Sequence, residues 1–200
     1  MTWLLVLFLA TDLNPPGVQD LIKSGLDFSY VENFDSAGVY FHRVMDLYPE
    51  NPAGYFFQGA LLQLKMMDGC RYDEEKEYLQ LMRKALDLSL AILKSEDNEW
   101  AEFYQANHYV YRAVYEGTKR NYLETFNYGL KGGRMMQALL KKDSTFYDAF
   151  LAVGTFEYFW ARASRYLPIL KLAGGDVSES IRKLRVAAEN GCYSGPTAEN

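Results

Sequence analysis

Apolar residues recur along this chain at helical spacing. Between residues 72 and 94, Leu79, Met82, Leu86, Leu90 and Leu93 step by three or four positions and so share one helix face. Read with its stops, the same pattern predicts helices near 18–31, 34–48, 52–66, 72–94, 98–116, 121–141, 145–162 and 176–190. Asp68-Gly69, Gly117 and Gly191 supply stops, while Asp73, Asn98, Asn121, Ser144 and Asp176 supply starts. Pro49 ends one helix, and Asn51-Pro52 opens the next, because proline at the first turn lacks only an N–H that would go unpaired there. No sustained alternation of apolar and polar residues appears, and no Asn-Gly turn joins β-branched runs, so no strand is predicted. The expected fold class is all-α, in about four helix pairs.

A repeat lies over this pattern. Gly25 and Gly59, Leu21 and Tyr55, and Phe28 and Leu62 each stand 34 positions apart, the period of a two-helix unit. Ala37, Phe41 and Pro49 lie between them, where such a unit needs a small residue at the crossing, a packed aromatic and a stop. Glycine inside a helix costs about 1 kcal/mol against alanine. Gly25, Gly59 and Gly154 are therefore expected where a neighbouring helix comes close.

These residues resemble the tetratricopeptide repeat family. Its pattern is met by Leu21, Ser24-Gly25, Phe28, Ala37, Phe41 and Pro49, restarts at Tyr55, Gln58-Gly59 and Leu62, and returns at Phe150 and Val153-Gly154. Ser24 and Gln58 stand where the family has Leu, and Glu157 where it has Tyr. The resemblance implies a right-handed superhelical stack of antiparallel hairpins, an α-solenoid. In the middle the period lengthens: Gly59 to Asn107 is 48 residues and Asn107 to Gly154 is 47, Asn107 standing in the glycine's place. The central repeats are thus elongated, mostly in their second helices.

The domain reading is an apolar segment and linker over residues 1–17, then one helical repeat domain over 18–200. Trp3 to Ala10 is an unbroken apolar run, too short to span a bilayer and of a length that suits a signal-peptide core, although no Lys or Arg precedes Lys23. This points to an exported, periplasmic protein whose basic leader lies outside the chain, with a cytoplasmic protein as the alternative. Asn14-Pro15-Pro16-Gly17 reads as a flexible linker. At the other end a capping helix is missing from the pattern, which predicts partly exposed Leu184, Val186 and Ala187 and self-association through the last helix.

Charge sharpens the picture. Residues 1–118 carry 9 Lys+Arg against 18 Asp+Glu, a balance of −9, whereas residues 119–200 carry 12 against 8, a balance of +4. The net charge of −5 argues against nucleic acid, which needs a concentrated basic surface. Cys70 and Cys192 form neither a disulfide framework nor a metal motif.

Catalytic chemistry finds little support. His42 and His108 are the two histidines, with no metal-ligand spacing around them, and His42 beside Phe41 reads as structural. Lys131-Gly132-Gly133-Arg134 lacks the preceding strand of a phosphate loop and reads as a close helix contact. The carboxylates of Asp73-Glu74-Glu75, Glu77 and Glu96-Asp97 lie at helix starts, where they complement the N-terminal dipole. No catalytic residue, metal or cofactor is expected.

Two binding candidates stand out. On 102–116, Tyr104, His108, Tyr111 and Tyr115 share a face with Arg112, opposite Phe103, Ala106, Val110 and Val114, leaving a second face for a partner or groove. In 158–173, Trp160, Arg162 and Arg165 lie in a long aromatic insertion suited to a carboxylate or anionic head group. Within the resemblance, Ile22, Leu26, Tyr30 and Phe56 fall on the inner helix faces. Tetratricopeptide domains that clamp chaperone tails carry Lys and Asn there, so this groove is expected to be apolar. The leading expectation is a non-enzymatic scaffold that binds a protein or peptide segment. The alternative is a periplasmic component that binds a small apolar, anionic or lipid ligand, similar to those beside some bacterial solute transporters. No nucleic acid and no stable membrane span are expected.

Overall fold

A computed structural model describes residues 11–69, 72–163 and 176–194. Its elements are α1 (Pro16–Tyr30), α2 (Phe34–Leu47), α3 (Pro52–Gly69), α4 (Glu75–Leu93), α5 (Glu99–Thr118), α6 (Tyr122–Lys142), α7 (Asp148–Ala163) and α8 (Val177–Asn190). Among the described residues there is no strand, and no helix is long and apolar enough to cross a membrane.

Helix starts follow local chemistry. Asn33 Oδ1 accepts from the Ser36 amide at 3.2 Å, Asn98 Oδ1 from Ala101 at 3.1 Å and Asp176 Oδ1 from Glu179 at 2.9 Å, each meeting an otherwise unpaired first-turn donor. Pro16 and Pro52 open α1 and α3. Expected starts move in three places, one of them α4, which begins at Glu75 and not at Asp73. Asp143 takes the Thr145 amide at 2.7 Å, which holds residues 143–147 as a turn and delays α7 from Ser144 to Asp148. The expected flexible linker is instead ordered: Leu13 is buried, its carbonyl accepts from Asn51 Nδ2 at 2.8 Å, and Pro16-Gly17 is already helical. The possible export segment, residues 1–10, lies outside the described residues.

Each helix packs on its chain neighbours, and α1 also touches α3, α3 touches α5 and α5 touches α7. The three repeated glycines occupy comparable places in this order. A Cβ on Gly25 would run into the Phe41 ring of α2, one on Gly59 would lie 2.7 Å from Met82 Sδ of α4, and one on Gly154 would lie 3.0 Å from the Ser180 carbonyl of α8. Each is on the first helix of a pair, facing the second. Between α5 and α6 the small residue has changed sides: a Cβ on Gly132 would lie 2.9 Å from the Val110 amide nitrogen, while neighbouring Gly133 faces Phe156 of α7. The 131–134 run is a close helix contact.

A continuous apolar core joins Val18, Ile22, Phe41, Phe56, Phe57 and Tyr104 to Met136, Leu139 and Val153. Ala187 belongs to the buried set rather than to an exposed final face, and Leu184 and Val186 are half-buried. Leu184 packs on Gly154, and the Gly191 amide donates to the Ala187 carbonyl at 2.9 Å.

Candidate interaction surface

Both faces of α5 are used by the fold. Tyr104 is fully buried against Phe56 and Phe57 of α3, and Tyr111 meets Phe56 edge to face at 5.1 Å. Tyr115 stacks obliquely on Tyr78 of α4 and donates its hydroxyl to Glu75. His108 Nδ1 lies 3.0 Å from the Met82 carbonyl of α4. On the other side, Phe103 packs on Phe146, and Ala106 and Val110 pack on Gly132. The expectation of a free aromatic face on 102–116 is therefore corrected. A helix flanked by α3, α4, α6 and α7 has two apolar faces because it has two sets of neighbours.

The same correction covers other residues assigned to the groove. Ile22 and Phe56 are buried in the core, as are Tyr104 and Tyr115, and offer no side chain to a ligand. Arg112 is half-buried, pairs with Glu116 at 2.8 Å and lies over the Tyr115 and Tyr128 rings, an internal brace. Trp160 is half-buried between Phe126 and Phe156, whereas Arg162 is exposed over the Tyr158 ring. Arg165 lies outside the described residues.

Leu26, Tyr30 and Tyr111 remain partly open. Leu26 and Tyr30 are one turn apart on α1. Tyr30 lies near enough to Tyr111 to add to the effect of burial, which pushes the Tyr111 phenol up to about 12. Tyr111 is thus mostly enclosed while part of its surface stays open. Gln63 Nε2 donates to the Tyr111 carbonyl at 3.3 Å, tying α3 to α5 beside it.

The opposite end of the odd-numbered helices is closed by two chain segments. Residues 191–194 turn back after α8 and run past the start of α7, where Asp148 accepts three successive amides: Cys192 at 2.8 Å, Tyr193 at 2.7 Å and Ser194 at 2.9 Å. Tyr193, 4% exposed, inserts between Phe57 and Trp100 with ring centroids 5.2 and 5.4 Å away. Its hydroxyl donates to Asn14, and Cys192 Sγ lies 3.6 Å from Gln19 Oε1. Residues 11–14 lie along the same end: Asn98 Nδ2 donates to the Thr11 carbonyl at 2.7 Å, and the Thr11 amide donates to Glu96. Asp148, Tyr193, Asn14 and Trp100 carry no local sequence signal for this arrangement, because it joins residues up to 179 positions apart.

Charged side chains around α4 and α5 are committed to one another. Glu75 receives the Tyr115 hydroxyl and Lys119 Nζ at 3.0 Å, and these hydrogen bonds hold its carboxyl below the usual range. Lys119 also sits 4.1 Å from the Tyr72 ring centroid. Glu74 pairs with Lys65 at 2.8 Å and Glu96 serves Thr11 and Asn98, so these acids link elements as well as complementing helix dipoles. Burial raises the Tyr78, Tyr104 and Tyr193 phenols and the Cys192 thiol, which keeps all four protonated at neutral pH. Among the described residues no three His, Cys, Asp or Glu side chains converge as a metal site. A groove of about 610 Å³ between α2, α3 and the start of α4 is lined by Gly38, His42, Gln58, Leu61, Lys65 and Glu77 among others, a mixed apolar and charged set. Comparison with family models, with curated proteins and with solved structures finds no match, so the meaning of this surface rests on its own geometry.

Proposed function

We propose that the chain is a tetratricopeptide-like α-solenoid of four hairpins and acts as a non-enzymatic scaffold that holds a segment of a partner protein. The helix contacts support the architecture: neighbours in sequence pair, odd-numbered helices stack on one another, and Gly25, Gly59 and Gly154 recur at the pair contacts. The binding reading is carried by one observation, the partial exposure that Leu26, Tyr30 and Tyr111 keep beside the core. Partly open aromatic and aliphatic side chains suit one apolar anchor from a peptide, the way a few central side chains carry most of an interface's affinity. With one end closed by residues 11–14 and 191–194, the partner enters from the end where α1, α3 and α5 finish.

Peptides selected by display on the purified chain, measured by titration calorimetry against the Leu26→Ser and Tyr30→Ala variants, test this. The expected loss is tenfold or more in affinity, about 1.4 kcal/mol or greater, with the helical circular dichroism spectrum of the parent retained. Selected peptides that bind both variants as tightly as the parent would refute it.

A further inference from the structure

The first turn of α6 and the last turns of α7 carry apolar side chains that protrude. Tyr122 is 72% exposed, Leu123 70% and Phe159 64%, with Phe126 also open. They meet at one end of the fold. The Phe126 and Trp160 rings are 5.2 Å apart, and further along the helices Gly133 adjoins Phe156, so α6 and α7 run in opposite directions and the start of one lies beside the finish of the other. The α6 face is built by spacing, since 122, 123 and 126 lie within one turn.

Cations flank these side chains. Arg120 stands two residues before α6, and Arg162 follows Trp160; both are exposed, and no ion pair to either is found among the described residues. Other cations of 119–142 are spent elsewhere, Lys119 on Glu75 and Lys142 on Asp97 and Glu102. Arg120 and Arg162 are thus the unpaired charges beside the protruding residues, against Glu124 in the same turn.

We propose that this end of α6 and α7 docks on an anionic lipid surface, with Tyr122, Leu123 and Phe159 entering the interfacial layer and Arg120 and Arg162 facing lipid phosphates. Charge chooses the occupant. Apolar side chains flanked by unpaired arginines are the arrangement by which a helix end seats at an anionic lipid interface. Tyrosine suits the head-group level because its ring is apolar and its hydroxyl wet. Each arginine near an anionic surface adds roughly fivefold in affinity. The site lies on α6 and α7, apart from Leu26 and Tyr30 on α1 and Tyr111 on α5, so either can fail without the other.

Flotation of the full chain with vesicles of phosphatidylcholine alone, and of phosphatidylcholine mixed with phosphatidylglycerol, is the test. The apolar run 3–10 is present in every protein compared, so the variants differ only in the patch. The expected results are binding at least about fivefold tighter to the mixed vesicles, weakening with salt, and a loss of about tenfold in the Tyr122→Ser/Leu123→Ser double variant. A second variant, Arg120→Glu, should lose the preference for anionic lipid while keeping the parent's circular dichroism and melting temperature. Equal binding to both vesicle types, or undiminished flotation of the double variant, would overturn the proposal. Failure to float with either vesicle would also overturn it and would leave the patch to a protein partner.

Discussion

Gly129 and Gly132 lie three residues apart on α6, and replacing each by alanine should move stability in opposite directions. Either substitution gains about 1 kcal/mol of helix preference, through the lower freedom of the unfolded chain and the better helical propensity of alanine. At Gly129 the new methyl would meet only the Ala113 Cβ at 3.7 Å, an ordinary contact. At Gly132 it would lie 2.8 Å from Val110 Cγ2, 2.9 Å from the Val110 nitrogen and 3.1 Å from the Ala106 carbonyl oxygen. Two of these three atoms are α5 backbone and cannot rotate away, so α5 and α6 must separate by a few tenths of an ångström along their contact. Overpacking of this kind costs about 1–3 kcal/mol; with backbone on one side the upper part of that range applies, leaving a net loss of about 2 kcal/mol. For a chain of this size each kcal/mol corresponds to roughly 2–4 °C. Thermal unfolding followed by circular dichroism should therefore show Gly132→Ala melting about 4–8 °C lower and Gly129→Ala about 2–4 °C higher, with urea midpoints shifting the same way. If both variants gained stability equally, the close approach of α5 and α6 at Gly132 would be wrong, and with it the register of the pair.

Asp148→Ala removes the acceptor of three amides and should destabilise by about 2–4 kcal/mol, since buried donors are left unpaired; amide hydrogen exchange should quicken first at residues 192–194, and unchanged exchange there would refute the bracing role. His108 gives a pH signature. Burial lowers its pKa below 6.5, opposed by its bond to Met82, so the unfolded chain takes up a proton at a higher pH than the folded one. Its contribution to stability is complete above about 6.5 and is lost as pH falls from there through the folded value. Urea midpoints should fall from pH 7.5 to pH 5.5, and His108→Gln should flatten that slope; an identical slope in the variant would refute the assignment.

Local features of the sequence carried the helices well. Caps at Asn98 and Asp176 act through atoms a few residues away, and Pro52 limits its own backbone, so spacing and residue type suffice to place those starts, whereas Asn121 stands at the start of α6 without a side-chain cap bond. Repeated glycines revealed close pairing because backbone approach is one of the few reasons to keep glycine inside a helix. The α5 surface was harder to read. Tyr104, Tyr111 and Tyr115 have the same spacing whether they face solvent or α3 and α4, and periodicity does not count neighbours. The segment 191–194 was not legible at all: an Asn-Gly-Cys-Tyr-Ser stretch has no periodicity, and its place depends on Asp148, Trp100 and Asn14, which only the assembled fold brings near. Leu26 and Tyr30, expected on the same inner face as Ile22 and Phe56, stay partly exposed where those two are buried, a difference that spacing along the chain does not carry.

The handshake of Asn14 with Tyr193 and Cys192 has a consequence for unzipping. Rows of helices bound mainly to the next in line ordinarily peel from whichever margin is weaker, one unit at a time. Here the two margins are fastened to each other and to the middle through Phe57 and Trp100, so loosening α8 also untethers the lead-in to α1. Opening from one flank should be felt at the other, making the molecule behave as a loop with a clasp instead of a ladder with free rungs.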